Sequence, residues 1–68
     1  MRIGYGLDKL EELVGRLVIV VDKDSWIRGK IYYSEEDGYH IVNEYGLIVY
    51  RFEGKEDREV EIYPVGQD

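Results

Sequence analysis

His40 is the single histidine of this 68-residue sequence, and the two serines, Ser25 and Ser34, both stand in turn-forming surroundings with no aspartate and histidine arranged to activate them. Ser-His-Asp nucleophilic catalysis therefore has no support. A glycine-rich phosphate loop ahead of a helix is also missing. Carboxylates cluster at Glu35-Glu36-Asp37 and again at Glu53, Glu56 and Asp57. Turn positions offer no burial to lift a carboxyl into the range that acid–base catalysis needs. The first cluster could offer oxygens to a hard cation, but a calcium loop needs more ligands at regular spacing, so a solvated turn is the expectation. No enzymatic activity, cofactor or metal site is expected.

What remains is binding chemistry. Seven tyrosines and one tryptophan supply large faces. Tyrosine is a good strand former with an apolar body and a wet tip, so most of the seven are expected in walls or interfaces. Trp26, which opens a strand beside a turn, either anchors a partner or shields one end of the sheet. His40 reads as a partly exposed strand residue next to a turn.

These side chains have to be carried by strands. Leu17 to Val21 is an unbroken β-branched and aliphatic run, and the spacing predicts strands over 16–22, 26–34, 39–43, 47–53 and 58–63. Lys23-Asp24-Ser25 reads as the first turn and Glu35-Glu36-Asp37-Gly38 as the second, with Gly38 tolerant of positive φ. In the second strand Ile27, Gly29, Ile31 and Tyr33 share one face, expected to be the core, while Trp26, Arg28, Lys30 and Tyr32 share the other. Gly29 asks for an explanation, because glycine inside a strand marks a bulge, a sharp bend or a close backbone approach.

Ahead of the strands, residues 1–6 read as a flexible lead-in. Leu7, Leu10, Leu13 and Val14 recur at helical spacing over 7–14, with Asp8 and Glu11 placed like a capping box and Gly15 as a C′ residue. The reading is one domain over 1–68: lead-in, helix over 7–14, five-stranded barrel over 16–64 and tail over 65–68. The fold class is all-β with one short N-terminal helix, and five short strands with turns at regular spacing argue for a small, strongly bent antiparallel barrel or a sandwich. The first strand does not alternate, so both its faces want cover. Either the helix covers one side and the core the other, or part of the strand lies in a subunit interface.

Size and charge narrow the class further. A chain this short buries only about 60% of the surface its unfolded form exposes, and its core alone supplies roughly 3 to 5 kcal/mol. With no cysteine for disulfides or zinc, oligomerisation is the remaining reinforcement. Apolar runs are far shorter than a membrane-spanning helix requires. The composition fits a soluble protein of the reducing cytoplasm, and its wealth of Glu, Lys, Arg, Ile and Val leans toward a thermophilic source. The formal net charge is −6, unevenly placed: residues 1–34 hold six cations against five carboxylates, and residues 35–68 hold three against ten. Such a field disfavours sequence-independent binding to duplex nucleic acid, so any nucleic-acid site must be local.

The order of parts, with Leu13, Gly15, Arg16, Val18, Val20, Gly29 and Ile31 at matching places, resembles the first motif of the Sm-like family. Ile48-Val49-Tyr50-Arg51-Phe52-Glu53-Gly54 and Val60-Glu61-Ile62 echo its second motif, with Arg51 and Gly54 separated where the family has them adjacent. The loop of Ser34 to His40 is about one residue longer than the family's, and Tyr39 and His40 stand near the usual apolar residue and asparagine. The resemblance implies a strongly bent, five-stranded antiparallel barrel of Sm-like/SH3-like type whose subunits join edge to edge into a homo-oligomeric ring. It also implies single-stranded RNA bound by the loops after the second and fourth strands, which assigns RNA-binding roles to Tyr39, His40, Arg51, Gly54 and Lys55. The alternative is an acidic small-barrel interaction or scaffolding module with a basic protein partner and no nucleic-acid ligand.

Overall fold

The computed structural model describes residues 4–66, and it contains five antiparallel strands in one sheet. They are β1 (Leu17–Asp22), β2 (Ser25–Ser34), β3 (Gly38–Val42), β4 (Ile48–Arg51) and β5 (Val60–Pro64). Their order is β4-β3-β2-β1-β5, so the last two strands of the chain stand at opposite edges. The sheet does not close into a complete barrel.

Burial follows the two-residue period of a strand. Val18 and Val20 of β1, Ile31 of β2, Ile41 of β3 and Ile62 of β5 have no solvent exposure and form the core with Leu10, Leu13, Phe52 and Val60. Each such side chain contributes roughly 1.5 to 3 kcal/mol relative to remaining exposed. The other face of β1, with Leu17, Ile19 and Val21, is only half covered. The short helix lies on the core side, where Leu10 and Leu13 join the buried cluster.

Gly29 is the close-approach case. A β-carbon there would lie 2.5 Å from Cγ2 of Ile41 and 2.5 Å from the Val42 carbonyl oxygen, so β3 packs against bare backbone. At the next residue β2 changes partners: residues 25–30 pair with β1 and residues 30–34 with β3, and Lys30 alone pairs with both, opposite Leu17 and Val42. One long strand thus belongs to two hairpins, and its side-chain-free position sits where they meet.

Several local expectations change. The first turn is the two residues Lys23-Asp24, closed by the pair Asp22 and Ser25, with Lys23 at φ 57°. Two-residue hairpin turns favour positive φ, which is why a lysine occupies that region here. The helix is a 3₁₀ turn, Leu7–Lys9, running into a single α-turn, Leu10–Leu13, and Val14 faces solvent. Asp8 and Glu11 form no capping box. Instead Leu7 N–H donates to Oδ1 of Asp57 at 2.6 Å, fifty residues along the chain. The reciprocal box belongs to Glu56 and Glu59, around the 3₁₀ turn Asp57–Glu59 that leads into β5.

At the N-terminus, Tyr5 pairs with Ile62 through two backbone hydrogen bonds of 2.8 and 2.9 Å, so this part of the expected flexible lead-in is tied to the outer edge of β5. The rest of that lead-in, residues 1–3, and part of the tail, residues 67–68, lie outside the described residues. Strand β4 is shorter than expected, although Phe52 just beyond it is buried at 4% exposure and still donates its N–H to the Tyr39 carbonyl of β3. Tyr33, expected on the core face, lies beyond the end of the core and is exposed.

Candidate nucleic-acid interface

The residues expected to touch RNA come from β3, the end of β4 and the turn after it, with Tyr39 and His40 on the strand and not in the loop before it. Tyr39 and His40 are neighbours on β3, and consecutive strand residues point to opposite faces. Tyr39 shares the core side with Ile41 and meets its cross-strand partner Tyr33, with ring centroids 4.9 Å apart. His40 points the other way and pairs laterally with Tyr32 and Arg51. The fold therefore brings His40 and Arg51 together and separates both from the Tyr39 ring.

His40 is buried at 6% exposure, not partly exposed as expected. Its Nδ1 is 2.8 Å from the Gly38 carbonyl oxygen. A carbonyl can only accept, so Nδ1 carries the proton. Across the ladder, Arg51 Nε donates to Oδ1 of Asp37 at 3.1 Å, and Asp37 N–H donates to Oγ of Ser34, which folds the loop back toward β4. The hollow beside Tyr39 is lined by Leu10, Phe52 and three carboxylates, Glu35, Glu36 and Glu53. A phosphate entering there meets like charge.

Lys55 and Gly54 belong to a second cluster. Gly54 forms the turn after β4 with φ 83°. Lys55 Nζ lies 3.1 Å from Oδ2 of Asp22 and 5.4 Å from the centre of the Tyr50 ring. The Tyr50 hydroxyl donates to the same Asp22 oxygen at 2.8 Å, and its ring meets Phe52 edge-on. Donation by Tyr50 and Lys55 holds the Asp22 carboxyl below its ordinary value, while burial and the adjacent Asp22 charge push the Tyr50 phenol well above its own. No local sequence signal could have found this triad, because Asp22 on β1 meets Tyr50 on β4 and Lys55 in the turn after it only through the curl of the sheet.

A third arrangement lies on the outward face of β2. Arg28, Lys30 and Tyr32 line one side of a groove of about 750 Å³, and Asn43, Glu44, Tyr45 and Gly46 line the other. Oδ1 of Asn43 accepts the N–H groups of both Tyr45 and Leu47, at 2.9 and 3.0 Å, an Asx turn that holds Tyr45 outward at 78% exposure. Trp26 continues the same face at 75% exposure. The alternation of 26, 28, 30 and 32 was visible in the sequence; that the Asn43 turn rises beside it was not.

Comparison with family models, curated proteins and solved structures found no match for this chain. Among the described residues no helix is long and apolar enough to cross a membrane, and no cluster of three or more His, Asp or Glu side chains could hold a metal ion.

Proposed function

We propose that this chain is a subunit of an edge-to-edge homo-oligomer of the Sm-like kind, a ring in its closed form, whose ligand is single-stranded RNA. The observation that carries this reading is the strand order, which leaves β4 and β5 at the two edges of an unclosed sheet. Edge strands offer backbone groups to another chain, and natural proteins blunt them with charge, proline or cover. Here β4 presents Val49, exposed at a bulge where the register jumps from Ile41–Tyr50 to Val42–Ile48, and Leu47 stands exposed just before it. The β5 edge is partly covered by Tyr5, so a neighbour's β4 docking on β5 competes with the N-terminal segment for Ile62. A reducing, cytoplasmic setting suits such a cysteine-free assembly.

In this reading the RNA contacts expected of Tyr39, His40, Arg51, Gly54 and Lys55 fall to Arg51 at the end of β4 and to Gly54 and Lys55 in the turn after it, with the Tyr39 ring on the other face and His40 buried behind Arg51 as support. Arg51 and Lys55 reach phosphate by exchanging Asp37 and Asp22 for it. The Arg51–Asp37 pair is partly exposed, and such pairs are worth only about 0 to 1 kcal/mol, so Arg51 exchanges at little cost, whereas Lys55 has to leave an Asp22 side chain that is only 12% exposed. The test is a native mass spectrum with and without oligouridine and oligoadenine at low salt. A closed oligomer that takes up either RNA supports the reading, and a monomer that takes up neither removes it.

The hollow lined by Glu35, Glu36 and Glu53 favours a second reading, an acidic interaction module for a basic protein. Capture dominated by basic proteins and unaffected by ribonuclease would distinguish it.

A further inference from the structure

We propose that the outward face of β2, with Trp26, Arg28, Lys30 and Tyr32, is a binding site for single-stranded nucleic acid, completed by Tyr45 from the β3–β4 turn. It is a different surface from the loop end described above, and it needs no edge assembly to exist.

Charge comes first. Lys9, Arg51, Lys55 and Arg58 each lie within 4.0 Å of a carboxylate oxygen. Arg28 and Lys30 are exposed and have no such partner among the described residues. In a chain of net charge −6, two uncompensated cations adjacent on one strand face make a local positive strip in an acidic field. Glu44 is the one carboxylate among the groove's lining residues.

Aromatic placement adds the second element. Trp26 and Tyr32 bracket the two cations on the same face, and Tyr45 stands across the groove. Residues two apart on a strand are about 6.6 Å apart, close to one nucleotide of an extended single strand, so residues 26 to 32 span about 20 Å, or roughly three nucleotides. Two cations flanked by aromatic faces give phosphate neutralisation and base stacking in one row, the combination that binds single strands without reading sequence. Stacked bases in a duplex cannot offer their faces to separated rings, so the match is to a single strand. The Asn43 turn holds Tyr45 in place before the ligand arrives, which lowers the ordering cost of binding.

Trp26 is the single tryptophan, so its fluorescence reports on this face directly. The full chain is titrated with oligouridine, with oligodeoxythymidine and with polyglutamate over a range of salt concentrations. Both nucleic acids are expected to quench Trp26 while polyglutamate does not; quenching by only one of them shows a preference set by the 2′-hydroxyl or the thymine methyl and still supports the site. Two neutralised phosphates give log K against log salt a slope of about −1.4, which Lys30→Ala reduces to about −0.7. Tyr45→Ala should weaken binding about tenfold through loss of one stacked base. The Arg28→Glu/Lys30→Glu double variant should lose binding, with unchanged far-ultraviolet circular dichroism because both side chains are exposed. If that variant does not fold, the Lys30→Ala slope and the Tyr45→Ala affinity decide the matter. The proposal is overturned if neither nucleic acid quenches at low salt, or if polyglutamate quenches equally, which would make an acidic peptide the ligand. It is also overturned if Arg51→Ala abolishes binding while Arg28→Glu/Lys30→Glu does not, a result that places the RNA at the loop end and leaves the reading of the preceding section standing.

Discussion

The hydroxyl of Tyr50 donates to Oδ2 of Asp22 at 2.8 Å, joining β4 to the end of β1 although β3 and β2 lie between them in the sheet. Strands three places apart can meet in this way only if the sheet curls over its core. Lys55 closes the contact from the turn after β4. Tyr50→Phe keeps the ring on Phe52 and removes the hydrogen bond alone, so it should lower the urea midpoint without changing the slope of the transition. A slope that changes as well would mean that the contact governs compactness rather than adding to stability.

Acid should act through the same contact. The Asp22 carboxyl is held below its ordinary value of 3.8 by Tyr50 and Lys55, so it binds protons less readily folded than unfolded. Its contribution to stability is therefore present above that ordinary value and disappears as the pH falls through the lower folded value. Asp22→Asn should flatten the acid limb of a stability-against-pH curve below about pH 4. Tyr50 titrates in the opposite sense: its raised pKa gives a contribution that is present below pH 10 and lost in stronger base. An acid limb unchanged by Asp22→Asn would contradict this account.

Gly29→Ala tests the close approach of β2 and β3. Its methyl would meet Ile41 and the Val42 backbone at 2.5 Å, and the backbone cannot rotate aside as a flexible side chain would. Overpacking of this kind costs typically about 1 to 3 kcal/mol. Gly54→Ala, in a turn with open space around it, should show only the strain of its φ of 83°, about 1 to 2 kcal/mol. Chemical denaturation of the two variants reads both costs, and a fully neutral Gly29→Ala would show that the strands do not meet there.

The N-terminal turn is capped from a distance, so Asp57→Ala should destabilise by about 0.5 to 2 kcal/mol, the range for loss of a capping side chain. Asp8→Ala, at the position that sequence spacing favoured for a cap, should cost less. Hydrogen exchange at Leu7 N–H follows the effect residue by residue. Faster exchange in Asp8→Ala than in Asp57→Ala would reverse the assignment.

Five strands and the positive φ at Gly15 and Gly38 were legible because they rest on neighbouring residues, glycine punctuation and β-branched runs, whereas the one-sided burial of β1 was not, because Leu17 to Val21 are apolar on both faces. Gly29 was legible as an anomaly, though its cause, the Val42 carbonyl, lies in another strand. The Asp57 cap, the Tyr5 bridge and the Tyr50–Asp22–Lys55 contact were not legible, since each joins residues 28 or more positions apart. The same reason divides the candidate site. Tyr39 and His40 look like one unit in sequence, but the strand sends them to opposite faces, whereas Arg28 and Tyr45, 17 positions apart, line one groove.

Assembly through the edges is the claim on which the proposed function rests, and native mass spectrometry of the full chain at micromolar concentration, beside Val49→Lys and Tyr5→Pro, tests it most directly. The account predicts a closed oligomer for the unmodified chain. Val49→Lys should dissociate it by charging the β4 edge, and Tyr5→Pro should strengthen it by removing an N–H that bonds Ile62. A monomer for all three proteins would contradict the account.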